Sequence, residues 1–500
     1  KRKIAVSLAL GAGLILAGFF VWKSGLGAVD LARRSMEKRL DYWQATWAMI
    51  IDGKYPGHFW LGVGQGNFNR FYPRYMSPSA HEEVMDPHNF ALEMWATSGI
   101  FAMLALLGVF GLFFWKTHQA WSGKMDALLD EKPDPGNTKD SENRFGTRWE
   151  FYLGGIGGLI LGFILSKFDL FSDPNLTWNG FVLVLVGSCV RSLIWFAVFA
   201  LIETVPWTSA VKRLVLTGGV AALLLNLTVS GGISFPSVAQ PMWVVAGLAL
   251  NSMTESKVSW HTRNWLGKVF PLPVLAAGCL MYLFLILIPV NECFRYLKAA
   301  QFNYSRWPMM DAKWRNSRKE GANIQELHRT TFENTNFVQN ILRLLKKSHE
   351  HDPLNVVPGL DSALWEAELW KLKSDISLRE HAIGLALSSM KLDPESSDPY
   401  FTLYQLNLLF AQFTETKKKE FWEQAANAIK GVVRRNPSNV RIRYQYAEIL
   451  FLADDAVEGK IQARHTQHLD EMATEPLCKL SPQQREQIRK WLIDSSDSSG

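Results

Sequence analysis

A long apolar stretch of the chain restricts its fold most strongly. Between Phe90 and Trp115, 26 residues contain one ionisable side chain, Glu93. Roughly 20 apolar residues are enough to cross the hydrocarbon core of a bilayer, and only a helix satisfies its own backbone there. The stretch therefore predicts a transmembrane helix. An ionisable group at membrane depth marks Glu93 as a candidate functional residue.

The four residues before this stretch, Asp86-Pro87-His88-Asn89, resemble a helix start. Asp86 suits the N-cap and Pro87 the first helical position, so His88 and Asn89 are expected in the first turn. Free N–H groups and the helix dipole favour an anion there, such as a phosphate. The same positive end disfavours an imidazolium, which predicts that His88 is a neutral base. In the alternative interpretation, His88 and Glu93 only cap and anchor a spanning helix.

An amphipathic segment lies upstream of this helix. Leu40, Trp43, Trp47 and Ile51 fall on one stripe of a helix, with Arg39 at its border. Such a stripe is typical of a helix that lies at a membrane surface. Arg39 would then present its guanidinium at the level of the lipid headgroups.

A glycine-rich turn separates these two segments. The segment contains Pro56 and then, from residue 62, glycine at every second position, as Gly62, Gly64 and Gly66. This spacing differs from a dinucleotide-binding fingerprint, and no strand-like apolar run precedes it. We therefore predict tightly packed backbone and no nucleotide site.

Further apolar runs predict a polytopic membrane protein with seven spans. The first run, from Ile4 to Trp22, follows three basic residues and lacks a clean cleavage site, and the sequence does not begin with Met. We therefore interpret residues 1–22 as an internal span with earlier helices upstream. The run after Pro241 is short and could instead be re-entrant. The predicted spans cover residues 1–22, 88–115, 151–167, 180–204, 213–230, 241–252 and 269–290.

The distribution of Lys and Arg orients these spans. The short loops at 168–179 and 231–240 contain neither residue, as expected of outer loops. This topology places Arg39, His88 and everything after residue 290 on the outer, periplasmic side, provided that 241–252 crosses. The predicted parts are an external loop at 23–87, a bundle at 88–290 with a cytoplasmic linker at 116–150, a soluble domain at 291–493 and a disordered end at 494–500.

The polar C-terminal part has a repeating pattern. Asp352-Pro353, Asp393-Pro394 and Asn436-Pro437 recur at intervals of 41 and 43 residues, and each follows an amphipathic helix. The pattern is similar to tetratricopeptide hairpins with longer connections, although an unrelated helical bundle would also fit. The predicted fold class is all-α, a membrane bundle followed by a helical repeat domain.

Charge and cysteine usage exclude other classes. The net charge of +6 is scattered and forms no basic stripe, which argues against nucleic-acid binding. The four cysteines contain no CxxC pair, and only Cys293 and Cys478 are placed where they could pair. No zinc site or disulfide framework is predicted.

In combination, these motifs resemble the O-antigen ligase and polymerase superfamily over roughly residues 35–110. The resemblance is carried by Arg39, Trp43 and Trp47, then Pro56, the alternating glycines, and Asp86-Pro87-His88-Asn89 with Glu93 and Ser98-Gly99-Ile100. It implies transfer of a polyprenyl-diphosphate-linked glycan at the periplasmic face, without a nucleotide sugar, required metal or cofactor. The superfamily also uses an arginine in an earlier loop, which no segment of this sequence supplies.

The resemblance also implies roles for individual residues. Arg39 and Asn89 would bind the diphosphate, and His88 would assist the acceptor with Arg39 and Glu93 as further catalytic residues. Structural roles fall to Pro56, Gly62, Gly64, Gly66, Asp86 and Pro87, and no metal ligand is expected.

The sequence therefore predicts a glycan ligase or polymerase of the inner membrane. Its partners would be the lipid-linked glycan, a lipid or protein acceptor, and possible proteins bound by the repeats. Two alternatives stay open. One is an inactive membrane-anchored scaffold in polysaccharide assembly; the other is a transporter, for which Glu93 and the short run at 241–252 would be the signs.

Overall fold

The computed structural model describes residues 33–78, 84–130, 209–234, 236–251, 271–318, 323–414, 417–473 and 478–493. All regular elements in these ranges are helical, which confirms the all-α prediction for them. The predicted spans at 1–22, 151–167 and 180–204 lie outside the described residues, as does the end at 494–500.

The first helices form the region that carries the predicted site. They are α1 (residues 33–50), α2 (Gly57–Leu61), α3 (Phe68–Phe71, continued by a 3-10 turn at Tyr72–Arg74), α4 (Phe90–Asp130), α5 (Ser209–Ser230) and α6 (Pro236–Asn251). A buried cluster joins α1, α3 and the beginning of α4, with Tyr42, Met49, Tyr72 and Ala96 among its members.

The helices of the C-terminal part follow from residue 271. They are α7 (Pro271–Tyr282), α8 (Ile288–Tyr304), α9 (Trp307–Ser317), α10 (Ile324–His351), α11 (Val356–Lys373), α12 (Ile376–Leu392), α13 (Asp398–Phe413), α14 (Lys418–Arg435), α15 (Val440–Leu452), α16 (Ala456–Met472) and α17 (Pro482–Ile493). A π-helical turn at Leu283–Leu287 connects α7 to α8.

Helix α4 is interrupted at Gly99, which has φ 85° and ψ 172°. The helix that was predicted to begin near His88 begins at Phe90, and the break at Gly99 divides it into two segments. The first, residues 90–98, contributes Leu92, Trp95 and Ala96 to the buried cluster with α1. The second is continuously helical, and its apolar part to Gln119 has a length of about 30 Å, enough to cross a bilayer.

Two helices in the described residues are long and apolar enough to span a membrane, at Phe90–Gln119 and Leu280–Tyr304. Shorter apolar helices cover Leu214–Ser230 and Val238–Leu250. The prediction of seven spans is not confirmed. Helix α6 runs through Pro241 and, at 16 residues, has a length of about 24 Å. It is shorter than a typical hydrocarbon core, so the re-entrant alternative stays open.

The chain divides into two compact units. One contains residues 1–107, 225–236 and 258–500, and the other contains 108–224 and 237–257. The first unit holds all the predicted site residues together with the C-terminal helices. In the second unit, the rings of Phe110 and Trp243 stack in parallel and pack α4 against α6.

The C-terminal helices α11 to α16 form three hairpins between neighbours in the chain. Their first helices begin at Val356, Asp398 and Val440, a spacing of 42 residues each time. Asp352, Asp393 and Asn436 each follow the last residue of a helix, so the predicted helix closures are confirmed. The likeness to tetratricopeptides stays a prediction. Cys293 and Cys478 are not joined by a disulfide.

Candidate functional site

Helix α1 has two apolar faces. Tyr42, Ala45, Met49 and Ile50 are buried in the cluster with α3 and α4. On the other side Leu40, Trp47 and Ile51 are about half exposed, with relative exposures of 47%, 45% and 52%. The second face is the predicted stripe, and its exposure fits contact with a lipid surface.

Trp43 departs from that stripe. Its ring is partly buried, and its indole N–H donates a hydrogen bond of 3.0 Å to the carbonyl of Pro87. Pro87 is thus connected to α1 and does not occupy the first position of a helix.

The glycine-rich turn packs on the break in α4. Gly62, Gly64 and Gly66 all have positive φ angles, of 73°, 90° and 79°. The N–H groups of Val63 and Gly64 donate to the carbonyls of Ala96 and Thr97 at 2.8 and 3.0 Å. The turn therefore satisfies carbonyls that the interrupted helix leaves without their usual partners.

This contact leaves no room for side chains. A Cβ atom at Gly62 would overlap the backbone of Thr97, and one at Gly99 would overlap the carbonyl of Trp60. The predicted tight packing is therefore found at Gly62, whereas a Cβ atom at Gly66 would meet no neighbouring atom. Pro56 precedes α2 with φ −60°, the conformation that its ring imposes.

The N-cap of α4 is Asn89, so the predicted cap at Asp86 is wrong. The Oδ1 atom of Asn89 accepts from the N–H groups of Ala91 and Leu92 at 3.1 and 3.0 Å. Its Nδ2 group donates to the carbonyl of Thr228 at 3.0 Å. Since these first-turn donors are occupied, the helix start does not offer the open anion site that the sequence predicted. A role of Asn89 in diphosphate binding stays a prediction.

Asp86 contacts His88 instead of capping the helix. Its Oδ1 atom lies 2.7 Å from the backbone nitrogen of His88 and 2.7 Å from Nδ1 of the ring. The backbone contact bends the chain, and His88 has φ 53°. Asx-turns of this kind tolerate a left-handed residue. The prediction that His88 lies in the first helical turn is therefore wrong. The Asp86 carboxylate accepts a hydrogen bond from the backbone of His88, two residues later, and does not cap a helix.

The contact with Asp86 has a chemical consequence. A carboxylate at Nδ1 favours the tautomer with the proton on Nδ1, which leaves Nε2 as the acceptor. Among the described residues, Nε2 of His88 is bonded to no other group. The His88 side chain is 36% exposed, whereas that of Asp86 is 11% exposed. The geometry is that of an oriented imidazole on a partly exposed side chain.

Glu93 is fully enclosed, with a relative exposure of 2%. Its two carboxylate oxygens accept from the backbone N–H groups of Gly232 and Ser234 at 3.0 and 3.1 Å. The turn after α5 is thereby fixed against the start of α4. These contacts favour a positioning function for Glu93, and its predicted catalytic role stays a prediction.

Arg39 lies at the solvent-facing side of α1. Within the described residues its guanidinium has no carboxylate partner, and it lies 4.0 Å from the sulfur of Met36. Arg39 lies one helical turn before Tyr42 on α1. The ring of Tyr42 meets the ring of His88 edge to face, with centroids 5.6 Å apart. His88 thus contacts α1 one turn after Arg39.

Two residues of this arrangement were missed by the sequence analysis. Gly231 has φ 61°, and a Cβ atom there would overlap the Oδ1 atom of Asp86. Tyr42 contributes the ring that contacts His88. The Gly231-Gly232 pair at the end of an apolar run was a turn signal. No local pattern indicates which distant segment the turn contacts.

A second cluster of polar groups includes Asp52, Tyr55, His58 and Tyr75. The hydroxyl of Tyr75 donates to Asp52 at 2.6 Å. This hydrogen bond, with one from the backbone of Lys54, lowers the pKa of Asp52. Burial lowers the pKa of His58, which lies flat against Tyr55 at 5.0 Å. The neutral form of His58 is therefore favoured in the folded protein.

Within the described part of the chain, no three His, Cys, Asp or Glu side chains are grouped closely enough to hold a metal ion. The predicted independence of metals and cofactors stays a prediction.

Comparison with known proteins agrees with the motif analysis. Residues 1–107 match the family described as O-Antigen ligase. A search of curated proteins gave no match. The match over residues 1–107 supports a relationship to the O-antigen ligase superfamily and suggests its ligase type of activity, and the apolar helices suggest a membrane protein.

Proposed function

We propose that the protein transfers an oligosaccharide from a polyprenyl diphosphate to a hydroxyl group on a lipid or protein acceptor. The observation that carries this proposal is the Asp86–His88 contact of 2.7 Å beside the helix that presents Arg39. His88 is the oriented base, and Arg39 is a cation that forms no ion pair within the described residues. These are the two groups that a transfer with a diphosphate leaving group requires.

The proposed reaction proceeds by displacement at the sugar. Nε2 of His88 takes the proton of the acceptor hydroxyl, and the acceptor oxygen forms a bond to the anomeric carbon. The bond from that carbon to the diphosphate oxygen breaks, and the electron pair leaves with the polyprenyl diphosphate. Arg39 stabilises the negative charge that develops on this group, because a guanidinium matches phosphate oxygens in a bidentate manner.

Asp86 and Glu93 have supporting functions in this scheme. Asp86 holds the His88 ring in one tautomer and stabilises the imidazolium that forms during transfer. Glu93 fixes the turn that contains Gly232, and Gly231 in that turn lies against Asp86. The transporter alternative is not favoured, because both oxygens of Glu93 are bonded to backbone and α6 is continuous through Pro241.

We place the site at the periplasmic face of the inner membrane. The exposed apolar stripe of α1 would rest at the lipid headgroups, where the diphosphate of a membrane-bound donor lies. The metal-independent character implied by the resemblance is retained in the proposal, since Arg39 supplies the positive charge.

The test uses the full-length protein and membranes from a strain that lacks it, which contain the natural donor and acceptor. His88→Asn is the informative variant, since Asn tolerates the left-handed conformation but cannot act as a base. We expect it to lower transfer by roughly a hundredfold or more, the usual range for a general base. Arg39→Ala should do the same and Arg39→Lys should restore part of the rate.

Arg34→Ala is the matched control, because Arg34 is exposed on another face of the same helix. It should transfer as well as the wild type, and a chelator should not change the rate. Unchanged transfer by His88→Asn would remove the catalytic role of His88, and absence of transfer by the wild-type protein would favour the scaffold alternative. Transfer abolished by the chelator would require a metal in the mechanism.

A further inference from the structure

The C-terminal helices contact the segment that supports the proposed site. Two turns make the contact, one after α12 and one after α14. Arg70 forms an ion pair of 2.6 Å with Asp393, and Arg74 one of 2.7 Å with Glu395. The hydroxyl of Ser438 donates to the carbonyl of Met76 at 2.8 Å.

These polar contacts are partly shielded from water. The side chain of Asp393 is 9% exposed and that of Arg74 is 16% exposed. Arg74 also donates to the hydroxyl of Tyr55 at 2.9 Å and stacks over the rings of Tyr55 and Phe71. Ion pairs that are held in one geometry and partly buried contribute more than exposed pairs, and breaking one leaves an uncompensated charge.

The pKa of Arg74 agrees with a specific ion pair to Glu395. Burial alone would lower its pKa, but the hydrogen bond and the charge of Glu395 together raise it above the usual value. The guanidinium is therefore charged, and Glu395 is the carboxylate that compensates it.

A chain of rings leads from this contact to the proposed base. Tyr72 lies between Arg70 and Arg74 in the sequence and is completely buried. Its ring meets that of Tyr42 edge to face with centroids 6.4 Å apart. Tyr42 in turn contacts His88. A shift of the 68–76 segment would therefore move the ring against which His88 packs.

We propose that Asp393 and Glu395 are positioning residues of the transfer site, and that the C-terminal helices keep the His88 ring in the geometry needed for turnover. This inference rests on the proposed function. It gives the C-terminal domain a direct part in catalysis, beyond binding other proteins. It also requires that domain to lie on the same side of the membrane as Arg39 and His88.

The contact itself is tested first, independently of activity. Met76→Cys combined with Ser438→Cys in the full-length protein should form a disulfide under mild oxidation, because the side chain of residue 438 lies against the backbone of residue 76 at this hydrogen bond. Adding Asp393→Asn and Glu395→Gln should reduce the yield of the cross-link severalfold. Absence of the cross-link in the protein with intact ion pairs would overturn the proposal.

The effect on turnover is tested with the Asp393→Asn, Glu395→Gln double variant. We expect kcat to fall by about tenfold or more while KM for the lipid-linked donor changes little, since donor binding is assigned to Arg39. Exchanging the charges of the second pair, with Arg74→Glu and Glu395→Arg, should recover part of the rate lost in Glu395→Arg alone. Wild-type kcat in a double variant that no longer cross-links would overturn the positioning role.

Glu333→Gln is the matched control. It removes one carboxylate from an exposed pair with Arg329 on α10, away from the contact. It should leave both the cross-link and kcat unchanged, and a loss equal to that of the double variant would overturn the assignment to Asp393 and Glu395. Failure of the proposed function is recognised separately, because His88→Asn would then retain transfer whatever the cross-link shows.

Discussion

The site region, residues 33–98, and the C-terminal helices α10 to α17 are both helical but are stabilised differently. In the C-terminal part, neighbouring helices pack through side chains, as where Phe410 lies against Trp370 and Phe421. In the site region, short helices are joined by backbone contacts between distant segments, such as Val63 with Ala96. The C-terminal part therefore distributes its stability over many similar contacts, whereas the site depends on a few glycines.

The largest effect is expected where the backbone of the glycine turn contacts the backbone of α4. Gly99→Ala would introduce a Cβ atom into the carbonyl of Trp60 at a residue with φ 85°, so the glycine turn must separate from the break in α4. We expect transfer to be lost and the site region to be destabilised by more than about 3 kcal/mol. Transfer in native membranes and thermal unfolding in detergent measure the two effects.

Gly108→Ala is the control for this comparison, because Gly108 lies in the same helix with open space around its Cα. It should keep full transfer. An active Gly99→Ala variant would show that the contact between the glycine turn and α4 is not required.

The same contrast explains how much of the fold the sequence predicted. The amphipathic helices of the C-terminal part and their closures at Asp352, Asp393 and Asn436 were predicted because local periodicity and capping determine them. The importance of His88 and Arg39 was also proposed from local motifs. The start of α4 was predicted too early because Asp86 bonds to His88 and Asn89 caps the helix instead. Capping preferences alone do not distinguish these two arrangements.

The contacts of longer range could not be predicted from one sequence. Gly231 lies against Asp86 and Glu93 bonds to Gly232, although about 140 residues separate each pair. Likewise, nothing near Arg70 and Arg74 indicates that their partners are Asp393 and Glu395. Tertiary packing determines these pairs, and local propensity has no influence on them.

The next largest effect concerns packing in the C-terminal part. Residues 320–490 expressed alone are expected to be soluble and helical, since their apolar faces pack against one another. In this fragment Phe410→Ala should lower the free energy of unfolding by about 3–5 kcal/mol, because the ring is completely buried. Urea unfolding followed by circular dichroism measures it.

Phe332→Ala provides the comparison for Phe410→Ala, as Phe332 is 67% exposed on α10. It should change the free energy of unfolding by less than about 0.5 kcal/mol. Equal losses in the two variants would contradict the assignment of the core.

A smaller effect is expected at a helix cap. The Oδ1 atom of Asp375 accepts from the N–H of Ser377 at 3.0 Å at the start of α12. Asp375→Ala should therefore destabilise the fragment by about 1 kcal/mol, whereas Asp375→Asn should be nearly neutral because it keeps the acceptor. The same urea titration distinguishes them, and a neutral Asp375→Ala would show that the cap contributes nothing.

The smallest effect concerns pH. Since burial lowers the pKa of His58 in the folded protein, the unfolded chain binds a proton below about pH 6.5 that the folded chain does not. The stability of the site region should therefore be complete above that pH and decrease as the pH falls below it. The unfolding temperature should drop less between pH 7 and pH 5.5 in His58→Gln than in the wild type. Equal drops would contradict the assignment to His58.

The central claim is that Asp86 and His88 act as one catalytic unit, and a double-mutant cycle tests it most directly. Transfer rates would be measured for Asp86→Asn, His88→Asn and the double variant of the full-length protein. If Asp86 acts through the His88 ring, Asp86→Asn alone should lower the rate by about tenfold or more, and the double variant should be no slower than His88→Asn. Losses that multiply in the double variant would show that the two residues act independently and would contradict the account.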